Sequence, residues 1–498
     1  LQLSGRDEDY LLAVANFSRE KVIDRPFQLR TYTAVRNETV EPLRADPASN
    51  QLPAQTASEV ALGFASSAPI APSPAFASFD KAADKRRPFD DYAGASVGDT
   101  LRFVDWGDSR SHSARTEEEV PVYHGVVIAL AGRHMIVVDT RLPNASEFLK
   151  PASQARFQTA AAIADQYTIP AVRAVIDPAF EPPSGAGGRI VTIIQNIGSF
   201  GGVRSADLNL QHPFASDMFT IFLSDRALSV SEGLIAQTII HEVAHLTELL
   251  LVRDGRSARS IGWYSEALAE VVAEMAARMA LGHETQAPAS RFASPGVPIS
   301  MLARSPSHGA SIDSPWGPIG SSQGAVGPGA YDRGARILMF AQEKLGVYQF
   351  NPTAPTLFQR MAAKAPIDLN RPLSELLSYW GIEAIAHEVG MTPEELLEQS
   401  MLADLTDDLL PQSAVQRFHV PQIITWDHSV SGGADRYSKI ARPEHILPRD
   451  VAREGVVGVP AGGYQYWYIP GQAGRGLSLR ATDLDLKPHH KAIIVRLR

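Results

Sequence analysis

Gly233-Leu-Ile-Ala-Gln-Thr-Ile-Ile-His241-Glu242-Val-Ala-His245-Leu-Thr-Glu248-Leu-Leu250 is an apolar run that carries two histidines four positions apart. Its length and apolar content predict a buried helix. On a helix, residues four apart lie about 40° apart around the axis, so His241 and His245 point the same way. Two neutral imidazoles on one face can supply half of a tetrahedral zinc site, with Glu242 beside the ion as a general base. The competing reading is a core helix with two satisfied histidines, which would need a partner for every buried polar group.

A metal site also needs a third protein ligand and an open position for water. One solution extends the motif to His-Glu-x-x-His-x-x-Gly-x-x-His. Here Glu248 stands at the Gly position and Leu251 at the last His, so that solution is excluded. Another takes a carboxylate from a second helix about twenty residues on, and Gly262-Trp-Tyr-Ser-Glu-Ala-Leu-Ala-Glu270 supplies Glu266. The polar, glycine-containing stretch 252–260 lets the chain turn back. Ser265 reads as the N-cap of the returning helix, with Glu266 in its first turn. Asp254, in the connecting loop, is the weaker alternative ligand.

These residues resemble the gluzincins, the His-Glu-x-x-His metallopeptidases whose third zinc ligand is a Glu in a segment like Trp-x-Asn-Glu-Gly-x-Ala-Glu. This chain reads Trp263-Tyr-Ser-Glu-Ala-Leu-Ala-Glu270 and departs at the Asn and Gly positions. The resemblance implies that Glu270 orients His241 from behind; the alternative is a solvated helix residue. A closer similarity is to the hyicolysin-like neutral metallopeptidases of bacteria. It rests on order: strand 189–196, Gly-rich 198–202, strand 218–225, then the zinc helix. It spans about residues 95–410 and is loose away from the zinc motif. Tyr331, opening Tyr331-Asp-Arg-Gly334, resembles the Tyr-Glu-Lys-Gly segment of aminopeptidase N-like enzymes. That similarity implies that Tyr331 supports the oxyanion, with a packing Tyr as the alternative. His308 is a second candidate donor.

The resemblance thus implies an α+β protein with a zincin-like catalytic core, a mixed-sheet lobe joined to a helical lobe. It implies a secreted or cell-envelope zinc endopeptidase that uses one catalytic Zn2+ on peptide or protein substrates. A signal peptide removed ahead of residue 1 belongs to that expectation. Two other classes stay open: a zinc aminopeptidase or other zinc hydrolase, and a binding or adhesion protein with a residual metal site. No EF-hand loop is present, and scattered carboxylates do not decide a structural Ca2+.

Composition narrows the rest. The 498 residues suffice for two to four domains. The net charge of −9 (46 basic against 55 acidic residues) is mild, and no basic stripe suggests nucleic acid as a partner. No uninterrupted apolar run of eighteen residues predicts a transmembrane segment. With no cysteine there is neither disulfide nor thiolate chemistry.

Four parts are expected: an N-terminal β segment (1–40), a Pro/Ala/Ser-rich linker (41–90), the catalytic domain (91–415) and a C-terminal β-sandwich or barrel (416–498). Tyr10–Phe17 and Phe27–Thr33 read as strands that pair with each other. Strands at 100–104, 120–130 and 135–139 precede a helix over 147–167. Strand 218–225 reads as an edge strand able to take extended substrate, or else as a buried strand. A long Pro/Gly/Ser-rich loop covers 283–329. Helices follow to about 410, one starting at Thr392-Pro393. C-terminal strands are read at 422–426, 464–469, 476–480 and 492–497, and they are expected to pack with the N-terminal strands because both ends of the chain are β-rich. His387-Glu388 lacks a second His, and His489-His490 reads as a turn.

Overall fold

The computed structural model describes residues 2–3, 10–16, 30–34, 92–257, 260, 263–281, 334–345, 355–365, 380–406, 464–469, 476–480 and 490–496. The Pro-rich segment 41–90, the long loop 283–329 with His308, Tyr331, His489 and the strand expected at 422–426 lie outside the described residues. What is described is an α+β protein built on a mixed sheet.

That sheet has six strands in the order β4-β5-β6-β7-β9-β8. They are β4 (Thr100–Val104), β5 (Val122–Ala131), β6 (His134–Asp139), β7 (Ile190–Gln195), β8 (Gly201–Val203) and β9 (Phe219–Ser224). β6, β7 and β9 run parallel, and the other pairings are antiparallel. Every residue of the three parallel strands is buried, as expected where both faces of a sheet are covered. Alternation divides the work. Ile136, Val138, Ile190, Ile194, Phe219, Ile221 and Leu223 join the helical core. Met135, Val137, Val191, Ile193, Met218 and Phe222 join a second core with Tyr92, Phe103 and Tyr123.

Of the two readings of strand 218–225, edge or buried, the structure shows the buried one. β9 lies between β7 and β8, and it is the short β8 that closes the sheet. The reason lies in the Gly-rich stretch, which folds back so that Gly201 pairs with Leu223 and Val203 with Ile221.

The helix read over 147–167 divides in two. A short turn, α1 (Ala145–Phe148), is followed by α2 (Pro151–Val175), with Pro151 in its first turn. α2 continues past Pro170 because Ala171, Val172, Ala174 and Val175 are buried in the helical core, which offsets the hydrogen bond that Pro cannot donate. Against α2 and the sheet pack α3 (Glu232–Arg253) and α4 (Trp263–Leu281). Seventeen of the 22 residues of α3 are buried. Ser231 caps its start by accepting from Leu234 N–H, and Gly255, at φ 68°, lets the chain leave after Asp254.

By mean hydropathy α3 is also, among the described residues, the one helix long and apolar enough to cross a membrane, with 83% of its apolar window buried inside the fold. Counting uninterrupted apolar residues misses it because His and Glu break the run.

Four further helices follow: α5 (Ala335–Lys344), α6 (Leu357–Lys364), α7 (Ile382–Glu388) and α8 (Pro393–Thr406). α8 opens as predicted, with Thr392 and Glu395 capping each other reciprocally.

The two ends of the chain pair together. β1 (Gln2–Leu3), β2 (Tyr10–Asn16) and β3 (Arg30–Ala34) meet β10 (Tyr464–Ile469), β11 (Gly476–Arg480) and β12 (His490–Arg496). They form two three-stranded sheets, β10-β2-β12 and β1-β11-β3. The expected pairing of β2 with β3 does not occur, because both edges of β2 are taken by C-terminal strands. His490, expected in a turn, opens β12 opposite Asn16.

Candidate metal centre

α3 and α4 face each other across the helical core, and their facing turns carry the polar residues. His241 and His245, one turn apart on α3, bring their Nε2 atoms to 3.2 Å. Glu266, in the first turn of α4, places Oε2 3.3 Å from His241 Nε2 and 3.4 Å from His245 Nε2. The three ligand atoms thus form a nearly equilateral triangle. Four ligands set tetrahedrally about 2.0–2.1 Å from an ion lie about 3.3–3.4 Å from one another. The triangle therefore matches three corners of such a site. Two imidazoles and one carboxylate form a donor set that suits zinc. Among the described residues this is the one group of His, Asp and Glu side chains close enough together to hold an ion.

The surroundings are strongly acidic. Glu242, Glu248, Glu270 and Glu274 are buried on the same two helices, and Glu266 nearly so. Burying an ionised carboxylate costs several kcal/mol even after relaxation, and a divalent ion at the triangle would offset part of that cost.

The titration shifts follow from this crowding. Burial pushes the imidazole of His241 down, but its contacts with Glu266 and Glu270 outweigh burial, and its pKa is raised well above the ordinary value. His245 is raised in the same way, burial being outweighed chiefly by Glu266. Burial also acts on Glu266, yet the two histidines hold its carboxyl well below the usual range. For Glu242 burial prevails over both histidines, and its pKa is raised.

Behind the ligands, His241 Nδ1 lies 3.1 Å from Glu270 Oε1, with both side chains buried. Of the two readings of Glu270, the solvated residue is thereby excluded. Ser265 is not an N-cap. α4 begins two residues earlier, at Trp263, and the Ser265 hydroxyl lies 2.9 Å from His245 Nδ1. It also donates to Glu248 Oε1 at 3.1 Å. Neither Ser265 nor Glu248 was read from the sequence as part of the site. The available signal was spacing: Glu248 follows His245 by three residues and so shares its helix face.

Glu242 points elsewhere, toward the sheet edge. Its carboxylate packs on Gly201 of β8, where an added Cβ would lie 2.6 Å from Glu242 Oε1. The edge strand thus runs beside the expected general base. Asp254 sits at the end of α3, paired with Arg253, and is no part of the triangle. His387 is exposed, and Glu388 pairs with Lys364. Gly334, three residues after Tyr331, packs on Trp263 and Ala267, the residues around Glu266, so closely that a Cβ would approach both to 3.0 Å.

No family model matches the chain, and no curated protein matches it.

Proposed function

We propose that this chain is a zinc-dependent endopeptidase of the gluzincin type, with a zincin-like core most similar to the hyicolysin-like neutral metallopeptidases. The observation that carries the reading is the triangle of His241, His245 and Glu266, whose edges of 3.2–3.4 Å suit tetrahedral zinc. Those three residues hold the ion. When bound, zinc supplies Lewis acidity, lowering the pKa of a water and polarising the scissile carbonyl.

The rest is done by the protein. Glu242 takes the proton of the attacking water and passes it to the leaving amine. Burial raises its pKa, which makes it a stronger base than an exposed carboxylate. Tyr331 is the oxyanion donor that the resemblance to aminopeptidase N-like enzymes implies. β8 pairs with β9 on one side and with no described strand on the other. An extended substrate adds to that side, beside Glu242. Endopeptidase activity follows, because a substrate bound through its backbone needs no free terminus. Export of the chain belongs to the same reading.

Metal analysis of the purified full-length chain, with cleavage of internally quenched peptides, provides the test. We expect one zinc per chain, and a fall of about 10²–10⁴-fold in turnover for Glu242→Gln, the range of general acid–base contributions. A metal-free chain, or a Glu242→Gln variant that cleaves at the wild-type rate, overturns the proposal. Parallel assays with aminoacyl substrates separate an endopeptidase from an aminopeptidase.

A further inference from the structure

We propose that Glu248, acting through Ser265, fixes the tautomer and orientation of His245, which makes both positioning residues of the metal centre. The proposal rests on the metal-holding role of His241, His245 and Glu266, and not on what substrate the site cleaves.

The argument is a count of protons. A serine hydroxyl has one proton to give, and an ionised carboxylate has none. Ser265 Oγ gives its proton to Glu248 Oε1 at 3.1 Å. Its other close partner is His245 Nδ1 at 2.9 Å, and toward that atom Oγ can only accept. In the neutral ring that a metal binds, the one proton of His245 therefore sits on Nδ1. The lone pair is left on Nε2, the atom that stands 3.2 Å from His241 Nε2 and 3.4 Å from Glu266 Oε2. The ring is thus held as a metal ligand must be.

Glu248 cannot do this alone, since its Oε1 is 3.9 Å from His245 Nδ1, too far for a hydrogen bond. Ser265 closes that gap. Glu248 sits three residues after His245 on α3, and Ser265 directly precedes Glu266 on α4. The relay therefore couples the two helices that bring the ligands together. For His241 the neighbouring carboxylate is that of Glu270, whose Oε1 lies 3.1 Å from Nδ1.

The experiment measures the zinc dissociation constant of the full-length chain by competition with a chromogenic chelator. Ser265→Ala and Glu248→Met, which keeps the side-chain volume but removes the acceptor, are each expected to weaken zinc binding about 10–100-fold, as for other groups behind a metal ligand. The double variant should bind no more weakly than Ser265→Ala, because without the hydroxyl the carboxylate has nothing to act through. Ser265→Thr and Glu248→Gln, which keep a hydroxyl and an acceptor oxygen, should regain most of the affinity. A purely structural role would not produce that pattern. Ser265→Ala binding zinc as tightly as the wild type, or single losses that multiply in the double variant, overturns the proposal. A wild-type chain that binds no zinc overturns it together with the metal centre. If the wild type binds zinc but cleaves no peptide, only the peptidase reading falls, and the affinities still decide the relay.

Discussion

Gly201 and Glu242 compete for one space. A methyl group at 201 would lie 2.6 Å from Glu242 Oε1 and 2.6 Å from Thr238 Cγ2, in an interior too tightly packed to absorb it. Gly201→Ala should therefore turn the carboxylate away from its post. The expected result is a loss of about 10²-fold in kcat/KM, the usual cost of a reacting group misplaced by about 1 Å. Zinc affinity should be unchanged, since the atoms nearest such a methyl belong to Glu242 and Thr238 and not to the three ligands. A Gly201→Ala variant with wild-type turnover would show that Glu242 is not the base. Nothing in the sequence separates this glycine from its neighbours at 198 and 202. The same holds for Ser265, which reads as a cap because serine commonly caps helices; its tie to His245 depends on how two helices are rotated against each other.

At the scale of elements, the antiparallel register of α3 and α4 pairs His245 with Glu266 and His241 with Glu270. One turn further along each helix come Gln237 and Glu274, both buried. The helices themselves were legible, because a long apolar run and the polar, glycine-containing turn after it are local information. The sheet order was not, because whether β9 lies inside or at the edge depends on a pairing with β8 that no local pattern specifies. The helix pair also predicts a pH dependence. His241 and His245 have pKa values raised above the ordinary 6.5 in the metal-free fold. A raised pKa adds stability that is complete below about pH 6.5 and lost as pH rises through the folded-state values. The metal-free chain should thus have a falling Tm as pH is raised above 6.5. Bound zinc takes the two rings in their neutral form, so the Tm gained on adding zinc should grow over the same range. Thermal melts with zinc and with chelator, from pH 6 to pH 9, check this. A zinc-induced gain that shrinks with rising pH would contradict it.

For the whole molecule, the question is whether the terminal sheets are needed by the metal centre. The sequence places these strands and sets the two β-rich ends of the chain together, but the alternation of β2 and β3 pairs them with each other. Instead β2 sits at the middle of β10-β2-β12, with Ala13 opposite Tyr466 on one side and Ile493 on the other. These sheets share no strand with the six-stranded sheet that bears β8. An ion pair between Lys491 of β12 and Glu398 of α8 joins the two parts, and exposed pairs of this kind contribute about 0–1 kcal/mol. Ala13→Pro should therefore act on one part only. A proline in a central strand removes a ladder hydrogen bond and disrupts pairing on both sides. We expect amides of β10 and β12 to lose protection from hydrogen exchange, while zinc affinity and peptide cleavage stay at wild-type values. Loss of zinc binding in Ala13→Pro would instead mean that the terminal sheets hold α3 against α4, and that the site depends on the chain being closed end to end.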